Sequence, residues 1–158
     1  MLLNMASFTY YMSGTGVRKQ WMQRSLTMSP GATPLAMITS PFVHMDVSSF
    51  AVTSAVFMTA GRALALPYTG YLALCLGSSL AAAVSMRNDN SKSHAGGLGL
   101  CAGMLSYGAF SGNTAFVLKF MPPQGFVALG LMYGLYNNDC SVLGGVMTGY
   151  ALFAVAAL

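Results

Sequence analysis

Three observations predict an all-α membrane protein, a bundle of about five transmembrane helices. Hydrophobic residues make up 55% and charged residues only 6% of the 158 residues, against roughly 25% charged in an ordinary soluble domain. Mean hydropathy is +0.61. The apolar stretches are also continuous, whereas a barrel strand alternates apolar and polar residues over about ten positions. A helix satisfies its own backbone in lipid, as each continuous run would need to. Too little charge remains to cover a water-facing surface, which argues against an ordinary soluble globule and against a disordered chain. The length suits one domain.

Taken in order, residues 1–12 are apolar but too short to span. Residues 14–34 are polar and basic, and no acidic residue precedes Asp46. Such a start is similar to a mitochondrial targeting segment. It reads equally as a membrane-surface segment with Trp21 and Arg24 at headgroup level. Residues 1–40 are therefore expected at the membrane surface and 41–158 in the bundle. The five runs are 47–66, 68–86, 95–118, 124–136 and 140–158, the fourth being marginal in length. All six prolines fall outside them, as helices that cannot lose an internal N–H require. With five spans, Arg18, Lys19, Arg24, Arg87 and Lys92 share one side, and Arg62 and Lys119 the other. The positive-inside rule puts the larger group in the cytoplasm or matrix.

The net charge of +4 is spread too thinly for a nucleic-acid surface. Cys75, Cys101 and Cys140 are widely separated with no Cys-x-x-Cys, so no metal site is expected and the thiols read as small hydrophobes. The eighteen glycines recur at four-residue spacing: Gly99 and Gly103, Gly108 and Gly112, Gly130 and Gly134, Gly145 and Gly149. That spacing puts small residues on one helix face and lets backbones approach closely. The polar residues within the runs, among them Ser106, Asn113 and Thr148, are expected to bond to backbone carbonyls or across to a neighbouring helix.

The run Thr39-Ser-Pro-Phe-Val-His44-Met-Asp46, leading into a helix that closes with Gly61-Arg62, resembles the segment entering the second transmembrane helix of rhomboid intramembrane proteases. Gly97-Leu-Gly99-Leu-Cys101-Ala-Gly103 is similar to that family's fourth core helix, whose Gly-x-Ser-Gly carries the nucleophile. Val142-Leu-Gly144-Gly145-Val-Met-Thr-Gly149 is similar to its final core helix, where His-Leu-Gly-Gly-x-x-x-Gly supplies the base. The resemblance implies a rhomboid-like fold lacking the family's first span. Its Ser–His dyad falls on Cys101 and Val142, and its oxyanion residues fall on Ser49 and Thr53. Valine cannot accept a proton, and a thiol needs a base to become a thiolate near neutral pH.

The resulting expectation is a non-enzymatic, rhomboid-like accessory subunit without a cofactor. Its partners would be lipids and other membrane subunits of a mitochondrial inner-membrane complex, such as a respiratory-chain complex or ATP synthase. The alternatives are a pseudoprotease that binds transmembrane clients or serves protein import, a haem anchor using His44 and His94, and a residual Cys101-dependent protease.

Overall fold

The computed structural model describes residues 2–29, 32–64, 66–86, 95–112, 123–136 and 139–157, and every regular element among them is helical. Helices α1 (Leu2–Met12) and α2 (Gly16–Leu26) precede α3 (Pro34–Thr39), which runs into a 3-10 turn at Ser40–Phe42. The five apolar runs then appear as α4 (Val47–Ala63), α5 (Tyr68–Met86), α6 (Leu98–Phe110), α7 (Pro123–Tyr136) and α8 (Cys140–Ala156). Among the described residues no single helix is long and apolar enough to cross a membrane. A 17-residue helix such as α4 or α8 is about 25 Å long, against about 30 Å of hydrocarbon. The run expected to reach residue 66 stops at Ala63, because Pro67 disfavours helical backbone before it. The last quarter of the third run, 113–118 with Asn113, lies outside the described residues.

Boundaries follow local chemistry. Pro34 and Pro123 open α3 and α7, and Pro67 immediately precedes α5, positions where a missing N–H costs nothing. Asp46 and Asp139 cap α4 and α8, accepting from the backbone N–H groups of Ser49 (2.7 Å) and Ser141 (3.0 Å). Two of the chain's three acidic residues thus hold helix starts, a role that an aspartate just before an apolar run signals. Segment Pro34–Phe42 meets Val47–Gly61 at 84°, so the chain turns sharply at His44. The N-terminal elements pack on the bundle: Met28 and Ala36 bury against Ala82 of α5, and Phe8 of α1 stacks on Phe50 of α4 at 4.3 Å.

Helix α6 is central, buried without interruption from Gly99 to Met104. Its seam with α8 is backbone on backbone. A Cβ on Gly145 would lie 1.8 Å from the Gly99 carbonyl oxygen, and one on Gly149 2.2 Å from that of Gly103. Ser106 adds a hydrogen bond across the seam, its hydroxyl donating to the Val146 carbonyl at 2.9 Å. Thr148 instead donates within its own helix, to Gly144.

The remaining expected packing glycines behave differently. Gly108 meets only the flexible end of Leu64, Gly130 has nothing nearer than a Val142 methyl at 4.0 Å, and Gly134 packs on the turn at Asp139 and Val142. Gly112 has nothing within 4 Å among the described residues; it takes φ +68° at the end of α6, a conformation that glycine adopts freely. A close contact outside the expected set joins α5 to α8, where a Cβ on Gly144 would lie 2.7 Å from the Gly77 carbonyl oxygen. Gly77 has alanines, Ala73 and Ala81, and no glycine four residues away, so glycine spacing alone did not expose it. Cys75 and Cys101 are buried as expected, whereas Cys140 is only half-buried.

Candidate functional site

On the side of α6 away from Gly145, helices α4, α6, α7 and α8 enclose a cavity of about 910 Å³. Its walls are apolar: Val52 and Val56 from α4, Leu98 and Leu105 from α6, Val127 and Met132 from α7, Val146 from α8. The polar lining lies at one end, where α4 begins with Asp46, Ser48 and Ser49 and α7 closes with Tyr133 and Tyr136. The tyrosines carried no signal in the sequence beyond interrupting an apolar run.

Three of the four positions singled out by motif share this cavity. Cys101, Val142 and Ser49 all line it. The fourth, Thr53, is fully buried, with its hydroxyl facing the Cys101 thiol without a well-formed hydrogen bond. Glycines at the start of α6 bring α4 this close. A Cβ on Gly97 would stand 2.5 Å from the Thr53 methyl, and one on Gly96 2.6 Å from the Ser49 hydroxyl. Gly96 sits at φ +104°, and its N–H donates to the Ser40 carbonyl.

His44 is fully buried at the elbow before α4 and is not part of the cavity lining. Its Nδ1 lies 3.2 Å from the Ser49 hydroxyl, and its ring packs edge-on to Phe50. Nε2 is buried without a hydrogen-bond partner among the described residues. Burial pushes the imidazole below its ordinary 6.5, and the Asp46 carboxylate partly offsets this. The Ser48 hydroxyl and the Ser49 N–H hold Asp46 below its ordinary 3.8. His94, the proposed second haem ligand, lies outside the described residues.

Val142 cannot accept a proton, and among the described residues no imidazole lines the cavity that holds the Cys101 thiol. An apolar chamber with hydroxyls at one end can enclose an apolar chain. No protein-family model, curated protein or solved structure matches the chain.

Proposed function

We propose that this chain is a catalytically inactive, rhomboid-like integral membrane protein, an accessory subunit of a larger complex of the mitochondrial inner membrane. The observation that carries the reading is Val142 beside Cys101 in one apolar cavity. The resemblance puts a base and a nucleophile at those positions, and valine performs no proton transfer. Membrane residence is supported by the exposed apolar side chains around the bundle, among them Met58 of α4, Leu80 of α5, Leu135 of α7 and Met147 of α8. Apolar surface on this scale marks contact with lipid or with other chains. The mitochondrial part rests on the basic, acid-free start. The packing of Met28 and Ala36 on α5 supports retention of residues 1–40 as a surface segment of the folded protein.

Extraction of the tagged full chain from its native membrane in a gentle detergent tests this. The expected result is stoichiometric co-migration with inner-membrane subunits in a particle far above 16.5 kDa. A solitary, monodisperse chain overturns the subunit role. Incubation with an intramembrane substrate tests inactivity: no cleavage is expected, and cleavage lost in Cys101→Ala overturns it. The breadth of the cavity between α4 and α7 favours a second reading, a pseudoprotease holding a client's transmembrane segment. Photo-crosslinking from position 133 separates the two, because a client crosslinks there and a peripheral scaffold does not.

A further inference from the structure

We infer that the outward face of α2, with the exposed side of α1, is a docking surface for an anionic phospholipid leaflet, Arg18 and Arg24 holding headgroup phosphates on either side of Trp21. This rests on the membrane reading above and adds a lipid class and the residues that select it. Arg18, Trp21 and Arg24 are three residues apart and so neighbours on one helix face. All three are exposed, as is Val17 at 80%, while Met22 is turned inward at 1%. An aromatic ring flanked by cations suits the boundary between headgroups and acyl chains.

Helix α1 is inside out. Its Asn4 is 1% exposed and the Ser7 hydroxyl is spent on the Phe42 carbonyl, while Leu2, Leu3, Met5, Tyr10 and Met12 face outward. A helix on a water-facing surface shows the reverse pattern. The two exposed faces adjoin, because the Arg18 guanidinium lies 4.7 Å over the Tyr10 ring. The Arg18 side chain is exposed, and a guanidinium's N–H edge matches phosphate oxygens in pairs. Charge complementarity fixes the occupant: the first 45 residues contain no aspartate or glutamate, so the anions must come from outside the segment. Lys19 is distinct. It lies two residues from Trp21, on the opposite side of the helix, and its ammonium is 5.2 Å from the Tyr11 ring, where it ties α2 to α1.

Trp21 is the only tryptophan, so its fluorescence reads this surface alone. The full chain is reconstituted in phosphatidylcholine vesicles carrying a minor share of bromine-labelled phosphatidylglycerol or, in parallel, bromine-labelled phosphatidylcholine. The anionic label is expected to quench Trp21 more strongly at equal mole fraction, with local enrichment of roughly five-fold per arginine. Arg18→Gln with Arg24→Gln should erase that excess, and Lys19→Gln should keep it. Equal quenching by the two labels, in a chain that floats with the vesicles, overturns the headgroup inference and leaves the membrane reading standing. A chain that floats with neither vesicle overturns both. Quenching that follows protein density instead of lipid charge assigns the face to a second copy of the chain and also overturns the inference.

Discussion

The two sides of α6 are built on opposite rules. Towards α8 it presents Gly99 and Gly103 to a backbone that leaves no room for a single carbon. Towards α4 and α7 it presents Cys101, Ala102 and Leu105 to about 910 Å³ of open space. Backbones this close gain dense dispersion contact along the seam, so the tight side supplies rigidity. The open side holds Cys101, Val142 and Ser49, the positions to which the resemblance would assign chemistry, around open space.

Substitutions can break this contrast, and the largest effect is expected at the seam. Gly145→Ala drives a methyl into the Gly99 carbonyl; a loss of more than about 3 kcal/mol is expected, read as lost monodispersity and a collapsed thermal midpoint in detergent. If Gly145→Ala melts like the unmodified protein, the seam is not the rigid side. Removing the cap with Asp139→Ala strips Ser141 N–H of its acceptor and should cost about 1 kcal/mol in the same melt. Ser106→Ala loses the bond to Val146, with about 0.6 kcal/mol expected and at most about 1.7.

Away from the seam the expected effects are conditional or absent. His44 titrates below its ordinary 6.5 because burial disfavours the imidazolium. Folding therefore favours the neutral ring. Its contribution is complete above that value and declines as the pH falls below it, towards the folded pKa. A second decline, from Asp46, begins only below 3.8. Comparing thermal midpoints at about pH 7 and about pH 5 should show a drop that His44→Gln abolishes; an unchanged drop assigns it elsewhere. The smallest effect is expected for Gly130→Ala, since its nearest neighbour is 4.0 Å away and such sites usually stay within about 0.5 kcal/mol. A large loss there would erase the contrast between the two sides.

The sequence anticipated five apolar helices because proline and polar clusters punctuate continuous runs, and α4 to α8 follow that punctuation. It also anticipated that Cys101, Val142 and Ser49 belong together, through motif order rather than any local signal. Periodicity grouped Gly130 with the seam glycines although its nearest described neighbour is 4.0 Å away, because a four-residue interval says where a small residue points and nothing about whether a neighbour is there. It passed over Gly77 for the converse reason: the Gly144 backbone that faces it comes from a helix over sixty residues away in the chain. The helix at Gly16–Leu26 was hidden by its polar composition, and the burial of Asn4 by lying in an apolar stretch where nothing marks the inward face.

The consecutive residues Gly144 and Gly145 touch the backbones of two different helices, α5 and α6. Both of those are synthesised earlier than α8. At about 5–20 residues per second, a ribosome leaves the slot between them empty for seconds after α6 emerges. Until α8 arrives nothing fills that gap, and a messenger truncated before α8 would yield a product with no wedge between the two helices.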